Sequence, residues 1–87
     1  MNGTTKLRRH VSASDVADGM VLLDERKGRY FKLNPSAALI LRALLDGSSP
    51  DEVARVLVER YEVSEERAAA DVDALTAELA GIGLVVA

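Results

Sequence analysis

The sequence predicts an α+β domain of winged helix-turn-helix type, a small N-terminal antiparallel sheet of two or three strands followed by three helices. Three observations carry that expectation. Two runs rich in β-formers, Met20 to Leu23 and Arg29 to Leu33, flank a polar segment that ends in Gly28, the pattern of a hairpin whose turn needs a positive φ. Beyond Pro35 the apolar residues change from alternation to three- and four-residue spacing, the period of a helix face. Each of the three periodic segments opens with a capping residue, Asn34, Ser49 or Ser64, which can accept the free N–H groups of a first turn.

Met1 to His10 is polar, with Lys6, Arg8 and Arg9 and only Leu7 to pack. It reads as a flexible basic arm, residues 1–10, ahead of a domain spanning 11–87. Val11 to Ala13 reads as a short first strand, and Ser14 to Gly19 as a turn closed by Asp18-Gly19. In the run 29–33, Phe31 and Leu33 share one face while Tyr30 and Lys32 share the other. The inner pair serves either the core or a ligand. Asn34-Pro35 then stops the strand and starts a helix. No long strand follows Pro35, so the run 29–33 is expected to have a free outer edge, open to a partner strand.

The first helix is expected over about 35–46, with Ala37, Ile40, Leu41, Leu44 and Leu45 as its apolar stripe and Gly47 as its stop. Ser49-Pro50-Asp51-Glu52 has the form of a capping box, and Val53, Ala54, Leu57 and Tyr61 form the inner face of the second helix. The third helix, from Ser64 to about Ala80, has Glu65 and Glu66 in its first turn, where acids favour the helix dipole. Its core stripe is Ala68, Val72, Leu75, Leu79 and Ile82. Leu84 to Val86 is left as either a terminal strand or a packed tail.

Composition excludes several function classes. The 87 residues make one small domain, 48% hydrophobic, with no apolar run long enough to span a membrane. Without cysteine there is no disulfide, thiol nucleophile or thiolate metal ligand. The single histidine, His10, builds neither a metal site nor a catalytic pair alone. No glycine-rich phosphate loop or paired carboxylate motif occurs, so neither a catalytic residue nor a cofactor is expected. The N-terminus lacks an apolar signal segment, and residue 2 is Asn, so a cytoplasmic location is expected. Residues 1–32 carry seven Lys/Arg against four Asp/Glu, and residues 33–87 carry four against ten. A rim of mixed sign is expected where the two halves meet.

One shoulder of the third helix carries Arg67, Asp71, Ala74 and Glu78, with a small residue between charges. Beside the hairpin edge, that gap becomes a groove floored by Ala74 and Leu75 and walled by Phe31 or Tyr30. Standing alone, the same alanines are ordinary helix formers on an exposed surface.

The stretch from Gly19 to Gly47, with the segment around Tyr61-x-Val63 and the run from Ala68 to Val85, resembles the PqqD-like family. These are leader-peptide recognition domains of ribosomally made, modified peptides, and the chain is most similar to the stand-alone leader-binding proteins of lasso-peptide biosynthesis. The likeness covers roughly residues 11–86. It implies a non-catalytic adaptor that takes the leader of a precursor peptide as an antiparallel strand on the hairpin edge. It also implies delivery to a leader peptidase and, indirectly, to a macrocyclase. The residues it assigns to the leader are Arg29, Tyr30, Phe31, Lys32 and Leu33 on the strand, and Arg67, Asp71, Ala74, Leu75 and Glu78 on the helix. Asp71 is then placed to accept a leader hydroxyl or amide, or to pair with Arg67. Leaders of the lasso type offer a Tyr and a Pro a few residues apart.

Two alternatives share the fold: a PqqD-like partner of a radical enzyme in another peptide-modification pathway, and a winged-helix DNA-binding protein. The second conflicts with charge. Residues 64–80 hold five acids against Arg67 alone, and phosphate repels such a helix. The partner that the resemblance implies is a precursor peptide, and neither nucleic acid nor membrane is expected.

Overall fold

A computed structural model describes residues 5–86. Strand β1 (Lys6–Leu7) is followed by β2 (Val11–Val16), β3 (Gly19–Asp24) and β4 (Arg29–Leu33), then α1 (Pro35–Leu45), α2 (Pro50–Tyr61), α3 (Glu65–Gly81) and β5 (Val85–Val86). β2, β3 and β4 form an antiparallel meander in that order, and β1 pairs with β5 in a separate two-stranded ribbon. The α+β architecture expected from the sequence is the one observed. Among the described residues no helix is long and apolar enough to cross a membrane.

The helix starts follow from local chemistry. The Asn34 side chain accepts from the Ala37 N–H at 2.9 Å, and Ser64 accepts from the Arg67 N–H at 3.0 Å. Ser49 and Glu52 form the reciprocal box, with the Ser49 N–H donating to the Glu52 carboxylate at 2.8 Å and the Glu52 N–H donating to Ser49 Oγ at 3.2 Å. Such caps stabilise a helix by about 1 kcal/mol each. Arg42 on α1 makes a forked pair with Asp15 on β2, and that hydrogen bonding raises the Arg42 pKa above its ordinary value.

Two apolar clusters hold the layers together. Met20, Leu22 and Leu33 from the sheet pack with Ala38, Leu41, Leu79, Leu84 and Val85. Ile40, Leu44, Val53, Ala54, Leu57, Ala68 and Val72 form the helix–helix cluster. Leu75, half-buried, touches both. Burying each large aliphatic side chain contributes about 1.5–3 kcal/mol, so these clusters are the main force fixing α3 across from the sheet.

The structure corrects three expectations. The basic arm is not frayed over residues 5–10: Lys6 and Leu7 pair with Val86 and Val85, and the Arg8 N–H donates to the Leu84 carbonyl at 3.0 Å. The two chain ends satisfy each other's backbone groups, and Leu7 packs on the core. Residues 1–4 lie outside the described residues. β2 continues through Ser14, Asp15 and Val16, which the sequence reading gave to a turn, and the turn itself is Ala17-Asp18. The inner helix stripes are also narrower than expected. Tyr61 and Ile82 are 41% and 45% exposed, and Ala38 rather than Ala37 is the buried alanine of α1. Of the two outcomes left open for Leu84 to Val86, the terminal strand is the one observed, with Val85 and Val86 paired to Leu7 and Lys6.

Candidate functional site

β4 is the outer strand of the meander, and its hairpin turn is built by one buried acid. Asp24 Oδ1 accepts from the N–H groups of Arg26 (3.0 Å) and Lys27 (3.2 Å), while the Gly28 N–H donates to the Asp24 carbonyl at 2.7 Å. Gly28 takes φ 67°, the left-handed conformation that closes the turn without steric cost. Asp24 is only 4% exposed and lies 3.7 Å from His10 Nε2. Sequence reading missed this residue, although an Asp before a polar turn ending in Gly is a recognisable turn former.

The direction of each β4 backbone group follows from the ladder. In an antiparallel pair, successive residues turn their N–H groups to opposite sides. Val16 stands opposite Gly19 across the two-residue turn, and just past β3 the Glu25 N–H donates to the His10 carbonyl at 2.8 Å. Odd-numbered residues of β3 therefore bond β2, and even-numbered ones bond β4. Met20, Leu22 and Asp24 stand opposite Leu33, Phe31 and Arg29, so these are the bonded pairs. The N–H and C=O groups of Tyr30 and Lys32 point away from the sheet, along an edge that no strand pairs among the described residues.

The side chains divide the other way. Leu33 is buried in the core and Phe31 is half-buried against it, whereas Tyr30 is 71% exposed. Lys32 reaches Asp18 at 3.3 Å on the outer face. Leu33 and Phe31 pack on the core and also line the groove beside it.

That groove runs between β4 and α3. One hollow of about 440 Å³ is lined by Tyr30, Phe31, Lys32, Leu33, Leu79 and Ile82, and a second of about 430 Å³ by Ser36, Ile40, Leu57, Tyr61, Val63, Asp71 and Ala74. Asn34, Ala37, Leu75 and Glu78 line both, so the two are one continuous trough along the first turn of α1. Of the residues expected at the site, Tyr30, Phe31, Lys32, Leu33, Asp71, Ala74, Leu75 and Glu78 border it. Arg29 and Arg67 do not. Arg67 instead pairs with Asp71 along the helix at 3.5 Å. Both side chains are well exposed, and such a pair contributes little to stability.

Ala74 stands exposed between Asp71 and Glu78, so the trough has an apolar floor at Leu75 with carboxylates along the α3 rim. Lys32 borders the strand side, with its ammonium turned to Asp18 on the outer face. The arrangement offers an edge able to bond an extended main chain, a floor able to take apolar side chains and a rim able to pair with polar ones. Tyr61, Val63, Ile82, Asn34 and Ala37 join the lining without having been expected there. The period that marks a core residue marks a groove residue equally, which is why Tyr61 and Ile82 were assigned inward.

The model of the family described as coenzyme PQQ synthesis protein D (PqqD) matches residues 19–85. A solved structure described as lasso peptide synthetase B1 complexed with the leader peptide is similar to this chain with a TM-score of 0.93 and 42% identity, covering 98% of this chain and 100% of that one. TbiB1 in complex with the TbiA(beta) leader peptide is similar with a TM-score of 0.81 and 26% identity, over 91% of this chain and 93% of that one. A comparison with curated proteins finds no significant match. The family model takes in β4, α1, α2 and all of α3, the elements that line the trough, and on that match the chain belongs to the PqqD family.

Proposed function

We propose that this chain is a non-catalytic adaptor that binds the leader of a ribosomal precursor peptide in lasso-peptide biosynthesis. The leader adds as an antiparallel strand to the free edge of β4 and lays alternate side chains into the trough against α3. The chain then presents the precursor to a leader peptidase and a macrocyclase. The observation that carries this reading is an unpaired strand edge lying along an apolar-floored trough. The same fold holds leader peptides in two similar solved structures.

The physics suits a disordered ligand. Ladder bonds from Tyr30 and Lys32 hold any extended chain, so choice among peptides falls to the trough. One aromatic or leucine anchor buried over Leu75 contributes about 1.5–3 kcal/mol, part of which offsets the ordering of the peptide. A leader proline fits the added strand where its missing N–H faces away from β4.

Ala74→Glu tests the trough. Ala74 is exposed on α3, so a glutamate there leaves the core intact but sets a third carboxylate between Asp71 and Glu78. The leader peptide of the lasso peptide synthetase B1 complex should bind this variant about tenfold more weakly, because an unpaired charge is desolvated beneath it. The melting temperature should stay close to wild type. Unchanged affinity in isothermal titration calorimetry would remove α3 from the binding site.

Duplex DNA is expected not to bind. Glu65, Glu66, Asp71, Asp73 and Glu78 are all exposed on α3, and a helix of that charge gains nothing from counterion release. A tight duplex complex with a steep salt dependence in fluorescence anisotropy would contradict the adaptor reading.

A further inference from the structure

Past the sheet end of the trough the surface changes sign. Arg8, Arg9, Arg26 and Lys27 surround a separate hollow of about 380 Å³, and Ile82 lines both it and the trough. Two features of the backbone hold these cations together. The pairing of the chain ends sets the Arg8-Arg9 turn beside α3, through the Arg8 N–H on the Leu84 carbonyl. The Asp24-centred turn presents Arg26 and Lys27 from the other side. Asp24 lines this hollow too, but it is buried and its Oδ1 is already engaged by two backbone N–H groups and lies beside His10. Glu25 is exposed on the same turn. Among the described residues none of the four cations makes an ion pair.

Strand polarity says what passes over them. β4 runs from Arg29 to Leu33, so a peptide antiparallel to it enters at Leu33 and leaves at Arg29, beside the hairpin tip. We propose that the hairpin tip and the Arg8-Arg9 turn form a clamp for acidic residues immediately C-terminal to the docked segment of the peptide. The inference rests on β4 being the docking strand. It adds a direction and a charge preference to that reading: acids at the exit end, and none required at the entry end, where Asp71 and Glu78 already supply negative charge. Continuity with the trough through Ile82 favours a peptide over nucleic acid as the occupant.

The probe is the leader peptide of the lasso peptide synthetase B1 complex, synthesised with a short Glu, Gln or Lys tail at its C-terminus, and titrated calorimetrically into the full chain. The Glu-tailed peptide should bind about tenfold more tightly than the Lys-tailed one at low salt, from several exposed charge contacts of modest strength. Added salt should close that gap, and the double variant Arg26→Glu/Lys27→Glu, which leaves two acids against Arg8 and Arg9, should abolish it. Both side chains are exposed, so melting should be unchanged. A Glu tail moved to the N-terminus should give no advantage. If the Gln-tailed peptide binds but Glu and Lys tails are indistinguishable, the clamp is wrong and the docking reading stands. If a single-stranded oligonucleotide competes as well as the Glu tail, the cluster is a general anion patch and the clamp is equally wrong. If the Gln-tailed peptide does not bind at all, the docking reading fails and takes the clamp with it.

Discussion

Gly19→Ala is expected to lower the melting temperature by about 15 °C or more, a loss of roughly 3 kcal/mol at the scale of a domain this size. Gly19 sits at the start of β3 with φ 142°, a conformation that L side chains rarely adopt, at a cost of about 1–3 kcal/mol. The space is closed as well. A Cβ there would stand 1.9 Å from the Leu33 carbonyl oxygen, 3.0 Å from its carbon and 3.2 Å from the Asn34 carbonyl carbon. These are backbone atoms at the junction of β4 and α1, so no side chain can swing aside to relieve the contact. Either β4 separates from β3 or the start of α1 moves, and both displace Leu33 from the core. Gly28→Ala is the control. It also has a positive φ, 67°, but nothing lies within 4 Å of its added Cβ, so the cost is the left-handed conformation alone, about 1 kcal/mol. Thermal melts of the two variants that coincide would mean that β3 and β4 do not approach as described.

Gly19 also shows where sequence reading stops. Asp18-Gly19 was legible as turn chemistry, because turn preference is local. The reason that only glycine fits is the Leu33 carbonyl, fourteen positions along the chain, and no local pattern encodes it. The same division runs through the molecule. Asn34, Ser49 and Ser64 were readable as caps because each acts on an N–H three residues away. β4 was readable because its alternation of Phe31 and Leu33 with Tyr30 and Lys32 survives in the fold. β2 was cut short because its second half, Ser14 to Val16, is exposed and carries no buried partner to mark it. The β1–β5 ribbon joins opposite ends of the chain, which no window along the sequence can see. For the site, the α3 rim of Asp71, Ala74 and Glu78 was visible as a break in the apolar stripe. The residues at the far ends, Tyr61 and Ile82, obeyed that stripe and were hidden in it.

Proline substitutions along β4 should separate into two classes with opposite phenotypes. The ladder assigns the Phe31 and Leu33 N–H groups to β3 and leaves those of Tyr30 and Lys32 on the free edge, by the parity that the Glu25 to His10 bond fixes. Proline removes one N–H and sets φ near −65°. At 31 or 33 it deletes a bond inside the meander and leaves a carbonyl of β3 unpaired, at about 1–3 kcal/mol, and Leu33→Pro also empties a core position, which adds a cost of about 2–5 kcal/mol. Against a total stability of roughly 4–13 kcal/mol for a chain of this length, Leu33→Pro should be at or near unfolding at ambient temperature, and Phe31→Pro should melt well below its alanine counterpart. At 30 or 32 the lost N–H bonds nothing among the described residues, and edge strands accept proline on the solvent side. Tyr30→Pro and Lys32→Pro should therefore stay folded, with melting close to that of the matching alanine variants. Their loss should appear only with peptide. Each leaves a carbonyl of the added strand without its donor and puts a ring in the path of the incoming backbone, so leader affinity should fall about tenfold to a hundredfold. Alanine at each position separates side-chain loss from backbone loss, since Tyr30→Ala and Lys32→Ala keep the N–H. The measurement is thermal melting with calorimetric titration of the leader peptide from the lasso peptide synthetase B1 complex. Folded proline variants at 30 and 32 that retain full affinity would show that the peptide does not add to β4, and the trough would then have to hold its ligand by side chains alone.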